Sequence, residues 1–171
     1  HGLKVVMCLD ASPWGLGEYL MENGKIVSYF SCPLSDTELD ILNIVRGESA
    51  AQQVVEALAI LVALRGWSDR WRGQRVLIRV QSDSISARIL SLGLKTRGKG
   101  TGIIAREVAL DIAHAEYAPH IAEHVAGEDN VVSDMLSRRC APGHEFVLPQ
   151  CLQHTPELVL EARGAEYFAT I

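Results

Sequence analysis

The chain has no long apolar run, no excess of positive charge and no close pair of cysteines, and each shortage excludes something. Its longest apolar run, residues 57–64, is closed by Glu56 and Arg65. A membrane-crossing helix needs about 20 such residues, so no membrane partner is expected. With 16 Lys+Arg against 21 Asp+Glu, a formal charge of −5 and a pI near 5.7, the chain is not a free-standing nucleic-acid binder that works through bulk charge. Cys8, Cys32, Cys140 and Cys151 include no C-x-x-C pair, which argues against a disulfide framework or a structural zinc site and leaves a reducing compartment as the default. The N-terminus shows no basic-then-apolar leader, so no signal peptide is expected and an intracellular, cytoplasmic location is. What is present is globular in kind. A length of 171 residues suits one domain with at most a short appendage, and 48% hydrophobic with 22% charged residues excludes a disordered chain.

The order of elements follows from periodicity. Residues 3–9 form an apolar run broken only by Lys4 and closed by Asp10, which reads as a buried central strand. A second strand runs to Met21, and the turn around Asn23-Gly24 carries the strongest short-range hairpin signal, making residues 26–31 its antiparallel partner. Residues 33–48 show no clear period and read as a loop. From Ser49, a plausible N-cap, to Trp67, apolar residues recur every three or four positions as in an amphipathic helix. Residues 76–80 predict a fourth strand, 85–92 a short helix and 93–102 a Gly-rich basic loop. Residues 103–116 predict another helix, 120–125 a fifth strand and 130–139 a last short helix, beyond which a loosely packed tail is expected. An antiparallel meander followed by strand–helix alternation implies an α/β fold. Its sheet is mixed, with helices on its faces and the first and fourth strands as central parallel neighbours.

Asp10 ends the first strand and Asp83 follows the fourth, so both lie at the carboxyl edge where open α/β sheets bind ligands. Singly, each serves well as a turn or helix cap. As a pair of like charges they call for a cation, and carboxylate oxygens suit a hard ion such as Mg²⁺. Two acids compete as a third ligand: Glu48, near the start of the long helix, and Glu56, in the apolar stretch Val54-Val55-Glu56-Ala57-Leu58, where a charge needs a reason for its burial. Asp134 lies on the first turns of the last helix, with Asn130 a natural N-cap.

Four blocks together resemble the ribonuclease H domain of a reverse transcriptase, most nearly those of gypsy-like retrotransposons. Asp10-Ala11-Ser12-x-x-Gly15-x-Gly17 resembles the family's opening D-A-S-x-x-G-x-G, and residues 56–67 resemble E-L-L-A-I-V-x-A-L-x-x-W. Ser82-Asp83-Ser84 follows a strand as the third block does. His124-x-x-Gly127-x-x-Asn130-x-x-Ser133-Asp134-x-Leu136-Ser137-Arg138 is similar to H-x-P-G-x-x-N-x-x-A-D-x-L-S-R. The blocks cover about four-fifths of the chain; the last is strong alone and their order makes the set specific. The register selects Glu56, which lies 27 positions before Asp83, near the family's spacing. Departures are a longer segment between Ser31 and Glu56, Ala126 for the usual Pro and Ser133 for Ala.

The resemblance implies a ribonuclease H-like fold whose five-stranded mixed sheet joins a three-strand meander to two parallel strands. Residues 1–139 would form that domain and 140–171 a C-terminal tail or linker. It implies an endonuclease cutting the RNA strand of RNA–DNA hybrids with two Mg²⁺ ions (or Mn²⁺ as substitute) held by Asp10, Glu56, Asp83 and Asp134. His124 would assist proton movement or product release. For the hybrid, Ser12, Trp14 and Asn130 are candidate contacts, and Lys95, Arg97 and Lys99 of the basic loop are candidate phosphate grips. A covalently linked polymerase domain is the implied partner. A non-catalytic connection module and a DNA nuclease of the same superfold are the alternatives.

Overall fold

A computed structural model describes residues 3–71, 76–81, 98–114, 120–121 and 131–168. Strands β1 (Leu3–Ser12), β2 (Gly15–Glu22) and β3 (Lys25–Pro33) form an antiparallel meander. The β2–β3 turn places Asn23 and Gly24 at φ 51° and 77°, both left-handed, as a type I′ hairpin requires of residues that tolerate it. Strand β4 (Val76–Gln81) lies parallel to β1, and the two residues His120–Ile121 (β5) pair with β4, giving the order β3-β2-β1-β4-β5. Strand β1 runs three residues past its expected end, so Asp10 lies inside the strand and pairs with Gly17.

One sheet face carries helix α2 (Gln52–Gly66), whose residues 57–64 are all buried. The sequence predicts an amphipathic helix, but α2 has no watered side along that stretch. Val5, Met7, Leu9, Leu16, Leu20 and Phe30 of the sheet pack with it into one apolar cluster, which also takes in Ile104 and Val108 of helix α4 (Lys99–His114). Trp67 is buried in this core and donates its indole N–H to Ser28 Oγ at 2.9 Å.

Three local expectations are corrected. Residues 33–48 are not all loop, since α1 (Asp36–Leu42) forms there behind a capping box. Ser35 Oγ accepts from Glu38 N, and the Glu38 carboxylate accepts from Ser35 N. Ser49 does not cap the long helix. It opens a 3₁₀ turn (Ser49–Ala51) that leads into α2. Helix α4 begins at Lys99 rather than Ile103, even though its first turns contain Gly100 and Gly102. Tight packing overrides the poor propensity of glycine here, because a Cβ at Gly100 would come within 2.7 Å of the Leu42 carbonyl oxygen. The expected helix at 85–92 lies outside the described residues.

Nor is the segment after Cys140 loosely packed. Tyr29 and Glu157 form a parallel bridge on the outer side of β3, and Leu158 N donates to Tyr29 O at 2.7 Å. Farther on, Arg163 forms a two-pronged ion pair with buried Glu38 at 2.6 and 2.7 Å, and Phe168 is fully buried. Arg65 of α2 joins Asp111 and Glu107 of α4, donates to the Tyr167 carbonyl and lies 4.5 Å over the Tyr167 ring. Short helix α3 (Ser68–Trp71) buries Trp71 beneath these layers.

Candidate active site

The opposite face of the sheet carries the short helix α5 (Val131–Ser137), and here the first and last sequence blocks meet. A Cβ at Gly17 would lie 2.2 Å from Ser137 N and 2.5 Å from Leu136 C, so only glycine lets the backbones of β2 and α5 approach this closely. Serine hydroxyls then fasten the helix to two strands, β1 and β3. Ser133 Oγ donates to the Cys8 carbonyl at 3.0 Å, Ser12 Oγ to the Ser137 carbonyl at 2.7 Å and Ser31 Oγ to the Leu136 carbonyl at 2.5 Å. The last two carbonyls belong to the C-terminal turn, which has no intrahelical donors of its own.

This packing brings Asp10 to α5, where Ser137 Oγ lies 2.7 Å from Asp10 Oδ2. Asp134 lies one turn earlier on α5, in the first turn as expected, where the helix dipole favours an acid. Its carboxylate is about half exposed and pairs with Arg138 at 3.0 Å. An exposed pair of this kind is worth ~0–1 kcal/mol, so it holds the side chain weakly. Glu56 approaches from the other face. Its Oε1 accepts from Gln52 Nε2 at 3.0 Å, and the same amide donates to the carbonyl of Ala11 at 2.6 Å, the residue after Asp10. Gln52 thus ties Glu56 to the end of β1. Glu48, the competing acid, is exposed at the N-cap of the 3₁₀ turn.

Ser137 therefore joins the Asp10 carboxylate to the main chain of Asp134, and Gln52 joins Glu56 to Ala11, the neighbour of Asp10. Asp83 follows β4 in sequence by two positions and lies outside the described residues, as do His124, Asn130, Lys95 and Arg97. Among the described residues, no three His, Cys, Asp or Glu side chains stand close enough together to hold one ion. The donor set nevertheless fits a hard divalent cation in kind, being all carboxylate.

The hybrid-contact residues fare unequally. Ser12 is 1% exposed, and its hydroxyl serves α5 and the Trp14 N–H, leaving no side-chain group for a substrate. Trp14 is half-buried at the same edge, its ring packed on Gly47, and Gly47 N donates to the Pro13 carbonyl at 3.2 Å. Lys99 is exposed but sits on the first turn of α4 instead of in a flexible loop. Sequence reasoning missed Gln52 and Ser137 as partners of the acids. The signal was available, since Gln52 precedes Glu56 by four residues and Ser137 follows Asp134 by three, each on the same helical face.

One further acid is deeply buried. Glu18 on β2 points into the α2-side core between Leu9 and Phe30, and neither of its oxygens has a hydrogen-bond partner among the described residues. Burial pushes its carboxyl well above the usual range, Arg163 opposes this, and Asp10 adds to the rise.

The fold is ribonuclease H-like. The chain is similar to the solved structure of LC11-RNase H1, isolated from compost by a metagenomic approach. The two share 16% identity and a TM-score of 0.56, over 80% of this chain and 94% of that one. It is also similar to RNase H1 from the halophilic archaeon Halobacterium salinarum, at 15% identity and TM-score 0.54 over 78% and 92%. A further match is LC11-RNase H1 solved in complex with an RNA/DNA hybrid, at 16% identity and TM-score 0.51 over 78% and 92%. No protein-family model matches the chain, and no curated protein matches it. Among the described residues, no helix is long and apolar enough to cross a membrane.

Proposed function

We propose that the chain is a divalent-metal-dependent ribonuclease H that hydrolyses the RNA strand of RNA–DNA hybrids, leaving 5′-phosphate and 3′-hydroxyl ends. The observation that carries this reading is that, within a ribonuclease H-like fold, Ser137 joins Asp10 to the helix that bears Asp134, and Gln52 ties Glu56 to Ala11 beside Asp10. One of the similar structures contains an RNA/DNA hybrid, which supports the substrate class.

In this reading Asp10, Glu56, Asp83 and Asp134 hold two Mg²⁺ ions, with Mn²⁺ as a substitute. Bound there, the pair supplies activation of the attacking water and neutralisation of the leaving oxygen. The protein's part is to hold four carboxylates from separate elements at one edge. Asp134, held only by its weak pair with Arg138, would be available to such an ion, and Gln52 keeps Glu56 against β1. His124 assists proton movement or product release. Trp14 and Asn130, with the main chain around Ser12, face the hybrid, while Lys95, Arg97 and Lys99 grip its phosphates, Lys99 from a helix N-terminus. Residues 1–139 carry the chemistry, and 140–171 are an appended segment. A reverse transcriptase polymerase domain of a gypsy-like retroelement is the linked partner, in an intracellular setting.

The test is a labelled RNA–DNA hybrid and a DNA duplex, each incubated with the full chain in Mg²⁺ or EDTA. Hybrid cleavage is expected in Mg²⁺ alone and should fall to background in Asp10→Asn. A hybrid left intact under every metal condition would defeat the reading in favour of a non-catalytic connection module. Cleavage of the DNA duplex would point instead to a DNA nuclease.

A further inference from the structure

Four hydrogen bonds join α5 and its flanks to the sheet, and one differs in kind. Ser133, Ser12 and Ser31 each donate to a carbonyl, which is a structural fastening. Ser137 Oγ has one proton and two acceptors within reach, Asp10 Oδ2 at 2.7 Å and the Asp134 carbonyl at 2.9 Å. That carbonyl already accepts from Arg138 N at 3.2 Å, as the helix ladder requires. The carboxylate oxygen can only accept, and a charged acceptor makes the shorter, stronger bond. The hydroxyl proton therefore belongs to Asp10.

The frame around this bond is rigid. Ser137 is 1% exposed, so water does not substitute for its hydroxyl. Its backbone is pressed on Gly17, and its carbonyl is held by Ser12. Asp10 itself is only partly buried, two residues before the strand's end, so the direction of its carboxylate depends on the groups that bond to it. We propose that Ser137 is a positioning residue for Asp10, orienting that carboxylate for a divalent ion. Helix α5 would then contribute twice, through the Asp134 carboxylate and through the hydroxyl one turn later. The inference rests on reading this edge as a metal-dependent ribonuclease site, and it goes beyond the four ligands.

Outer partners of this sort typically set metal affinity by about 10-fold or more. Calorimetric titration of the full chain with MnCl₂ alone should show Ser137→Ala binding about 10-fold more weakly than the parent. The Mg²⁺ needed for half-maximal hybrid cleavage should rise by a similar factor, with the rate at saturating Mg²⁺ largely kept. Ser31→Ala is the control, because it removes a neighbouring fastening of the same helix without touching a carboxylate. It should lower the melting temperature and leave the titration unchanged. If Ser137→Ala loses its cooperative melt, Ser137→Cys, of similar volume and weaker donor strength, takes its place. A Ser137 variant that titrates within about twofold of the parent overturns the inference, and parent cleavage of the hybrid would then still uphold the ribonuclease reading. A parent that binds Mn²⁺ but leaves the hybrid intact defeats that reading alone, since calorimetry still tests Ser137. A parent that binds no Mn²⁺ overturns both.

Discussion

The two faces of the sheet are built on different principles. On the α2 side, a thick apolar layer is closed by α1, α4 and the C-terminal segment, and the acids within it are extremes. Glu38 is fully buried and met by both prongs of Arg163, whereas Glu18 is equally buried and meets no donor among the described residues. On the α5 side, the buried apolar cluster among the described residues comprises only Cys8, Tyr19, Tyr29, Leu136 and Leu152, and the helix is held by serines and by backbone contact at glycine. Bulk burial sets stability on one side, and close geometry sets the position of the acids on the other.

Three substitutions probe this contrast. The largest effect should come from Arg163→Ala, which strands the Glu38 charge in the core. Breaking a buried pair in this way costs about 3–5 kcal/mol, and a denaturant midpoint read at constant m-value would measure it. A loss below ~1 kcal/mol would show that the pair is dispensable. On the other face, Gly17→Ala presses a methyl onto the backbone of Ser137 and should cost about 1–3 kcal/mol as overpacking. It should also displace α5, so hybrid cleavage should drop further than stability does. Equal, small changes in both would mean that α5 adjusts without moving the acids.

The smallest effect concerns Glu18 and depends on pH. Its folded-state pKa lies above its unfolded value because of burial. Stability is therefore full below the ordinary Glu pKa of about 4.3 and is lost as pH rises toward the raised folded value. Glu18→Gln should flatten that decline, raising the melting temperature by a few degrees near neutrality and leaving it nearly unchanged at pH 4. Parallel melting curves for the two proteins across that range would contradict the assignment.

Much of the frame was legible in the sequence because it rests on local rules. The β2–β3 hairpin follows from Asn23-Gly24, and the parallel neighbours β1 and β4 follow from two apolar runs separated by a helix. The capping box Ser35-x-x-Glu38 was also there to be read, but the Pro, Asp and Asn around it looked like loop. The C-terminal segment was opaque for a deeper reason. Leu152, Leu158, Leu160 and Phe168 have no period, because each fills a hollow made by distant residues. At the candidate site, the motif register singled out Asp10, Glu56 and Asp134, but no spacing rule reveals that Gly15-x-Gly17 and Leu136-Ser137 are two halves of one contact. That knowledge requires the crossing of α5 over β2.

The bridge between Tyr29 and Glu157 has a further consequence. Strand β3 is the outermost of its meander, and its backbone groups would otherwise offer a template to any extended chain. Residues 156–158 occupy part of that template from within the same molecule. The C-terminal segment therefore covers part of an edge that an extended strand of another molecule would otherwise find open.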